Sequence, residues 1–358
     1  MTALPRFVPG LVLLAAAALL CAPSATAKPA ERLAPKGFFG VHPRSLAHAE
    51  PSDYERMGEA HVGVIRTGFI FGRAKDHKNE PFDWTEFDSV VRGAASNGID
   101  VLPVLLGVPP YVSTKPGTNP LGNSESDWRD YLTSLVERYG PNGEFWDLNP
   151  TVPVRPITDW QIWNEENALT NWELDPNPRQ YGRLLAISAD AIHSVDPSAR
   201  IITGGVISTP QNPEAIPGAT FLRRMLESRA ARQAVDIVAI HPYASYVKDI
   251  KPQMRLTRET LDAAGVDAPI WITEVGWGSG TSARNHLLVT EEKQAENLEK
   301  AFQLALRERV PLGIGRMIWY QWRDGPDNVC KWCPTAGLLQ QDGVAKPLLD
   351  IFSGIARI

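Results

Sequence analysis

Short apolar runs alternate with longer amphipathic stretches along most of this chain. From Gly37 onward the runs are rich in β-branched residues, which is typical of strands. The stretches between them repeat apolar residues every three to four positions, which is typical of helices. This alternation predicts βα units around a parallel sheet, and we count eight units. The predicted fold is therefore α/β, a single (β/α)8 TIM barrel.

The predicted elements follow from this periodicity and from the glycines and prolines that interrupt it. The predicted strands are Gly37–Val41, Val62–Arg66, Asp100–Leu106, Thr158–Trp163, Ile201–Thr203, Val235–Ile240, Pro269–Thr273 and Ile314–Tyr320. The predicted helices are Tyr54–Ala60, Trp84–Ser96, Ser124 or Ser126 to Tyr139, Arg179–Val195, Ala219–Arg232, Met254–Ala264, Glu291–Glu308 and Pro347–Ala356. Residues 67–83 and 141–156 are predicted to be loops.

Polar or aromatic residues stand at or just past the ends of several predicted strands. In an eight-stranded barrel the carboxyl ends of all strands meet at one rim, and active sites are found there. We therefore expect these side chains to share one site. They are His42, Arg66, Asn164, Glu165, His241, Tyr243, Glu274 and Trp322.

Two of these residues are glutamates delivered by similar segments. Glu165 follows the run Asp-Trp-Gln-Ile-Trp-Asn, and Glu274 follows Pro-Ile-Trp-Ile-Thr. Glycosidic bonds are cleaved by such carboxyl pairs, in which one group protonates the leaving oxygen while the other attacks the anomeric carbon. A retaining mechanism predicts a separation of roughly 5 Å, and an inverting mechanism roughly 6.5–9.5 Å.

These two segments resemble the signatures of a large clan of retaining glycoside hydrolases built on a (β/α)8 barrel. The matching residues are Trp163-Asn164-Glu165 and Ile272-Thr273-Glu274-Val275-Gly276-Trp277. The resemblance implies that Glu165, after the fourth strand, is the acid/base and that Glu274, after the seventh, is the nucleophile. The sequence looks most similar to the β-xylosidase and endoglycosidase-like family of that clan.

The resemblance also implies roles for some neighbours of the two glutamates. Arg66 is expected near the nucleophile, where it and Tyr243 lower the pKa of Glu274. Asn164 is expected to bind the sugar 2-hydroxyl, and the alternative is that it caps the turn after the fourth strand. Glu166 competes with Glu165 for the acid role, but its side chain is expected to point the other way.

Aromatic residues at the rim are candidates for sugar binding, because sugar rings pack their C–H faces on aromatic rings. Trp322 matches the tryptophan that the clan carries on its last strand, and Trp319 takes its place if the strand register shifts by one. Trp277 is a further candidate, with Trp172 and Tyr111, and each of these three also fits loop packing. With His42 and His241, these residues complete the predicted substrate-binding set.

The first 27 residues have the pattern of a signal peptide. Arg6 supplies the positive charge, Leu11 to Leu20 form an apolar run, and Ala25-Thr26-Ala27 is a cleavage site. Residues 28–358 are then the catalytic domain, secreted or held in the cell envelope. Cys21 allows lipidation as an alternative, although Leu20 stands where that signal favours a small residue.

Charge and cysteine content indicate which binding partners and which cysteine chemistry to expect. The net charge is −5 and basic residues form no run, so no nucleic acid partner is expected. No later stretch is apolar enough to predict a membrane span. Cys330 and Cys333 are expected to form a local disulfide in an exported chain. We expect no metal and no cofactor, and a monomer.

The sequence therefore predicts an exported retaining glycoside hydrolase that acts on a polysaccharide or oligosaccharide. A catalytically silent, glycan-binding barrel is an alternative, although two intact glutamates argue against it. A transglycosylase is another, because it shares every residue and differs in whether water or sugar reacts with the intermediate. The sugar, the linkage and exo or endo action depend on loop shapes that the sequence does not define.

Overall fold

The computed structural model describes residues 1–2, 34–43, 49–173, 175–210, 212–282, 285–326 and 330–357. Met1–Leu33 and Ala34–Ile358 form two compact units. The predicted signal peptide lies outside the described residues except for Met1 and Thr2, so it stays a prediction. All of the helices and strands described below belong to the second unit.

The strands form one large parallel sheet and one small one. They are β1 Phe39–His42, β2 Val64–Ile70, β3 Asp100–Leu106, β4 Asp159–Ile162, β5 Arg200–Ile202, β6 Val206–Ile207, β7 Val238–His241, β8 Ile270–Val275, β9 Gly278–Ser279, β10 Leu288–Val289 and β11 Ile314–Tyr320. The nine-stranded sheet has the order β5-β4-β3-β2-β1-β11-β8-β7-β6, and β9 pairs with β10. The predicted α/β class with a parallel sheet is confirmed.

Helices lie between the strands, as the alternation predicts. They are α1 Pro51–Glu59, α2 Phe71–Ala74, α3 Thr85–Ser96, α4 Glu125–Tyr139, α5 Glu144–Leu148, α6 Pro178–His193, α7 Gly218–Met225, α8 Arg229–Ala234, α9 Ile250–Ala263, α10 Glu291–Glu308 and α11 Pro347–Ala356, with 3-10 turns at Val247–Asp249 and Cys333–Thr335. None of the described helices has the length and apolar character that a membrane span needs.

The sheet curls so that its two edge strands are neighbours in the chain. Only three residues separate β5 from β6, and both flank the double glycine Gly204-Gly205. Next to this break, Thr203 N donates to Ile237 O at 3.1 Å and Ile237 N donates to Ile201 O at 3.2 Å. These bonds link β5 to the residue just before β7, with which β6 also pairs. The predicted fifth strand, Ile201–Thr203, matches β5, and the short strand β6 was not predicted.

The second strand differs most from its prediction. It was predicted to end at Arg66, but β2 continues to Ile70 and pairs with β3 along its whole length. Arg66 therefore lies inside the strand with no exposed surface. A buried arginine is tolerated here because its guanidinium finds acceptors inside the curled sheet, as described below.

Two helices of the structure were missed and one predicted helix is divided. Helices α2 and α5 fall in segments predicted to be loops. The predicted helix Ala219–Arg232 is broken into α7 and α8, because the Ser228 side chain accepts a hydrogen bond from Ala231 N and begins a new helix.

Apolar side chains pack on both faces of the large sheet. One cluster consists only of residues in or beside strands, namely Val64, Leu102, Ile202, Ile237, Ala239, Trp271 and Ile318. A much larger cluster joins strand residues to helix residues on the other face. The inner face is thus filled by strand side chains alone, which leaves the carboxyl ends of the strands free to carry polar groups.

We expect glycine to be required at position 40 because β1 and β2 approach closely there. A Cβ added at Gly40 would lie 2.4 Å from Val64 Cγ1 and 2.5 Å from Val64 O. Gly40→Ala should therefore lower the free energy of unfolding by about 1–3 kcal/mol, the usual cost of overpacking. Chemical denaturation with urea measures the change.

Gly354 in α11 is the matched control, since a Cβ there meets nothing within 4 Å. Gly354→Ala should raise the free energy of unfolding by about 0.5–1 kcal/mol, because alanine is favoured over glycine in a helix. Equal effects of the two substitutions would contradict the close approach of β1 and β2.

Candidate active site

The two glutamates singled out in the sequence lie side by side. A carboxylate oxygen of Glu165, one of Glu274 and a ring nitrogen of His241 all lie within 4.8 Å of one another. Glu165 follows β4, while Glu274 lies within β8, one residue before its end. The glutamate side chains are mostly buried, with 18% and 9% of their surfaces exposed.

The backbone is held in an unusual conformation at the end of β4. Trp163 and Glu165 have φ values of 77° and 49°, in the left-handed region that non-glycine residues rarely adopt. The Trp163 ring fixes the turn, since its Nε1 donates to Asn171 O at 2.6 Å. Such outliers gather at functional sites, and here they set the direction of the Glu165 side chain.

Arg66 connects the two glutamate-bearing segments. It donates to Glu274 Oε1 at 2.5 Å, to Asn164 Oδ1 at 2.6 Å and to Gln161 Oε1 at 2.6 Å. One buried guanidinium thus fixes three acceptors from β4, from the residues just after it and from β8. Arg66 lies next to Glu274, as the resemblance implied.

Glu274 is held as a carboxylate. Burial alone raises the pKa of this group, but its interactions with His241 and Arg66 outweigh burial and hold the pKa at about 2. Tyr243 adds to the effect, because its hydroxyl donates to Glu274 Oε2 at 2.7 Å. Burial and the charge of Glu274 in turn raise the pKa of Tyr243, which keeps its proton.

Glu165 has a different set of contacts. Its Oε1 lies 2.9 Å from His241 Nδ1, and its Oε2 accepts a hydrogen bond from Asn171 Nδ2 at 3.1 Å. No arginine or lysine pairs with this carboxyl among the described residues. The two glutamates are therefore in unlike surroundings, and unlike surroundings are what separates an acid from a nucleophile.

His42 lies beside the nucleophile candidate as a neutral ring. Its Nε2 is 3.9 Å from Glu274 Oε1, and the side chain is buried. Burial and the neighbouring Arg66 charge lower the pKa of His42 to about 3. Neither ring nitrogen has a hydrogen-bond partner among the described residues, and both are buried.

The cluster of Glu165, His241 and Glu274 is compact enough to be tested as a metal site. Its oxygens, however, already accept hydrogen bonds from Arg66, Tyr243 and Asn171. A cation bound there would lie next to the Arg66 guanidinium and would have to displace these donors. The donor set therefore fits proton transfer and anion stabilisation better than metal binding.

Two of the predicted sugar-binding tryptophans are fully buried in the structure. Trp277 and Trp322 have no exposed surface, and the Trp277 ring donates to Ala244 O at 2.9 Å. Both rings belong to the core between the sheet and the helices. The other candidates, Trp172 and Trp319, are also fully buried. An aromatic residue at a strand end can pack in the core or face a bound sugar. The sequence pattern does not distinguish these two positions, and here the four tryptophans pack in the core.

A second aromatic group packs on His42 and Tyr243, two neighbours of Glu274, and its rings are buried as well. Tyr320, at the end of β11, has ring contacts with His42 at 5.3 Å and with Trp332 at 5.7 Å. Trp332 also packs on Tyr243 at 5.0 Å. Cys330 and Cys333 are joined by the predicted disulfide, which holds Trp332 in a closed loop. Sequence reasoning missed Tyr320 and Trp332, although the Cys-Lys-Trp-Cys spacing was visible.

Polar residues on the inner face of the sheet were missed as well. Gln161 and Thr273 lie within β4 and β8 with no exposed surface and contact Arg66 and His241. The sequence feature that could have identified both residues is a polar residue within an otherwise apolar strand. Asn171 lies in the loop after β4, and no sequence feature distinguishes it from other loop amides.

Glu166, the competing candidate for the acid, is fully buried. Neither of its carboxyl oxygens has a hydrogen-bond partner among the described residues. Burial raises its pKa to about 8, so it is a neutral acid at pH 7. It packs against Gly204, where an added Cβ would lie 2.2 Å from Glu166 Oε2. This position removes Glu166 from contact with solvent and explains the glycine.

Parts of the chain are similar in sequence to known glycoside hydrolases. A family profile described as "Glycosyl hydrolase catalytic core" matches residues 188–352. A β-xylosidase from Geobacillus stearothermophilus is 31% identical over 124 residues, a match that covers 33% of this chain and 20% of that protein. The chain therefore spans about a fifth of this relative's length.

Solved structures share the fold at low identity. A family 39 glycoside hydrolase from Bacteroides cellulosilyticus WH2 superposes with a TM-score of 0.67 and 20% identity, covering 91% of this chain and 64% of that one. Xylanase 10B from Thermotoga maritima gives a TM-score of 0.60 and 15% identity over 92% of this chain and 96% of its own. These structural matches show a shared fold. Together with the profile match and the β-xylosidase match, they confirm the resemblance to glycoside hydrolases that was stated from the two motifs.

The buried Glu166 carboxyl should make stability depend on pH. The folded state keeps this proton up to about pH 8, whereas the unfolded state releases it from about 4.5, the ordinary pKa. The folded state therefore loses stability as the pH rises between these values. Glu166→Gln should remove this loss, which amounts to roughly 3 kcal/mol at pH 7.

Urea unfolding of both proteins between pH 5 and 8 measures this difference. Glu259→Gln on the exposed face of α9 is the control, and its curve should run parallel to that of the wild type. Parallel curves for Glu166→Gln and the wild type would show that Glu166 is not a buried neutral acid.

Proposed function

We propose that this chain, a relative of the β-xylosidases, is an exported retaining glycoside hydrolase that cleaves a β-linked polysaccharide or oligosaccharide. The observation that carries the proposal is the distance of at most 4.8 Å between carboxylate oxygens of Glu165 and Glu274. Retaining glycosidases need about 5 Å, while inverting enzymes need a gap of roughly 6.5–9.5 Å to admit a water molecule.

The contacts support one role for each glutamate. Glu274 is ionised and bound by Arg66 and Tyr243, which orient its oxygens toward one side. In the first step one of these oxygens forms a bond to the anomeric carbon while the bond to the leaving oxygen breaks. Glu165 supplies the proton that this oxygen takes up, so the product leaves as a neutral hydroxyl.

The second step reverses the flow of charge. Glu165, now a carboxylate, takes a proton from water, and the resulting hydroxide oxygen attacks the anomeric carbon. The ester bond to Glu274 breaks and returns a carboxylate that Arg66 already faces. Asn164 is held at the site by its bond to Arg66 and is proposed to bind the sugar 2-hydroxyl.

The fold proposed for this function is a single closed (β/α)8 barrel in which β5 and β6 together form one of eight strands. The hydrogen bonds from Thr203 and Ile237 support closure at that point. Export by the segment 1–27 and a monomeric state belong to the same proposal. The substrate is proposed to be a glycan because the two carboxyls have the spacing that cleavage of a glycosidic bond requires.

Product profiling on plant and microbial polysaccharides tests the activity. Hydrolysis of any of these glycans supports the proposal, and the products identify the linkage. Binding without cleavage on the whole panel would favour the silent barrel, and transfer products in place of free sugar would identify a transglycosylase.

Substitution of each glutamate separates the two roles. Glu165→Ala should still form the glycosyl-enzyme from an activated aryl glycoside, whose leaving group needs no proton. On natural glycans it should lose roughly 10²–10⁴ in kcat, the usual contribution of general acid catalysis. Glu274→Ala lacks the nucleophile and should fail on both substrates. Glu59→Ala on the exposed face of α1 should leave both rates unchanged.

Azide identifies which face of the sugar each glutamate serves. With Glu165→Ala and an aryl β-glycoside, azide should release the β-azide from the covalent intermediate. With Glu274→Ala it should attack directly and give the inverted α-azide. Nuclear magnetic resonance distinguishes the two products, and their exchange between the variants would show that the acid and the nucleophile are assigned the wrong way round.

A further inference from the structure

We propose that Gln161 and Thr273 are positioning residues that hold a hydrogen on Nδ1 of His241. This N–H then stabilises the negative charge on Glu274 and, later in the reaction, the negative charge on Glu165. The inference rests on the proposed function, because it concerns the two carboxylates of that reaction. It assigns a task to three buried residues that touch neither the leaving group nor the attacking water.

The direction of the hydrogen bonds begins at Arg66, which can only donate. Its Nε donates to Gln161 Oε1 at 2.6 Å, so this oxygen is the acceptor end of the amide. The other end, Nε2, lies 2.9 Å from the carbonyl oxygen of Thr203, which can only accept. Both partners require the same orientation, and the Gln161 amide is therefore fixed.

The fixed amide then sets the Thr273 hydroxyl. Gln161 Nε2 also faces Thr273 Oγ1 at 3.4 Å, the longest contact of the series. The hydroxyl oxygen accepts this N–H, which leaves its own hydrogen free to donate. That hydrogen points to His241 Nε2, which lies 3.0 Å away.

A ring nitrogen that accepts a hydrogen bond carries no hydrogen, so the hydrogen of His241 must be on Nδ1. Nδ1 faces Glu165 Oε1 at 2.9 Å and Glu274 Oε2 at 3.5 Å. Both neighbours are acceptors, which agrees with this tautomer. One N–H is thus directed between the two glutamates.

The ring has little freedom to change this arrangement. Gln161, Thr273 and His241 have no exposed surface, so bulk water does not compete for their hydrogen bonds. A Cβ added at Gly205 would lie 2.3 Å from His241 Nε2, which shows how closely the backbone confines the ring on that side. In such a buried setting, the orientation of each dipole has a large electrostatic effect.

The shared N–H matches the movement of charge in the reaction. In the proposed reaction the negative charge is on Glu274 before the first step, and Glu165 is the group that supplies the proton. When Glu274 bonds to the sugar, its charge is neutralised and Glu165 becomes the carboxylate. His241 Nδ1–H is close to both positions and can stabilise each charge without moving.

Nuclear magnetic resonance of the full-length protein with ¹⁵N-labelled histidine tests the tautomer directly. The chain has seven histidines, and the spectrum of His241→Asn identifies the signals of His241 by their loss. At neutral pH the expected pattern is a protonated Nδ1 and an unprotonated Nε2. A hydrogen on Nε2, with or without one on Nδ1, would overturn the inference.

Substitution of Thr273 tests the role in catalysis. Thr273→Val removes the donor to Nε2 at nearly constant volume and should lower kcat/KM on natural glycans roughly 10- to 100-fold, the worth of one hydrogen bond that supports a charge. It should also shift the His241 Nε2 signal. Thr273→Ser keeps the hydroxyl and should restore both the rate and the signal.

Thr257→Val is the matched control, because Thr257 is a buried threonine whose hydroxyl donates to Gln253 O at 3.0 Å in α9. It should leave the His241 signals and kcat/KM unchanged. Wild-type signals and rates in Thr273→Val would contradict a positioning role for Thr273. A protein that cleaves no glycan but shows the Nδ1–H tautomer would overturn the proposed function and leave the tautomer assignment standing.

Discussion

The active site depends on one buried ion pair, between Arg66 and Glu274. A charge taken out of water is costly unless it is paired and hydrogen-bonded, and Arg66 meets this condition through Glu274, Asn164 and Gln161. These acceptors come from β4, from the residue pair after it and from β8. The same contacts that make the arginine tolerable inside the sheet also orient the nucleophile candidate and the amide beside the acid. The Arg66 side chain therefore contributes both to the stability of the buried site and to the orientation of the proposed catalytic groups.

The two glutamates have different surroundings although their carboxylate oxygens lie within 4.8 Å of each other. Glu274 faces a cation and a phenol, whereas Glu165 faces an amide and an imidazole. Arg66 pairs with Glu274, whereas no arginine or lysine pairs with Glu165 among the described residues. Such unlike surroundings are what allows two neighbouring carboxyls to take different roles. The left-handed backbone at Glu165 is the local cost of bringing the second carboxyl to the same place.

The alternation of strands and helices and the two glutamate segments were predictable, because both depend on residues that are adjacent in the chain. The extent of β2 was not, since an arginine in mid-strand looks like a strand end until its partners on β4 and β8 are known. The burial of Trp322 was missed for a similar reason, because an aromatic residue past a strand suits either the core or a sugar. Tyr320 and Trp332 come together only through a contact between the end of β11 and the loop that the disulfide closes. Contacts between distant segments decide these features, and periodicity carries no information about them.

The central claim is that Glu165 and Glu274 act as a retaining pair. The most direct test is the anomeric configuration of the first product, followed by proton nuclear magnetic resonance during hydrolysis of a β-linked substrate before mutarotation equilibrates the sugar. Carboxylate oxygens of the two residues lie at most 4.8 Å apart, which leaves no room for a water molecule to attack from the opposite face of the sugar. The β-anomer should therefore appear first. Initial release of the α-anomer would show inversion and would contradict the account.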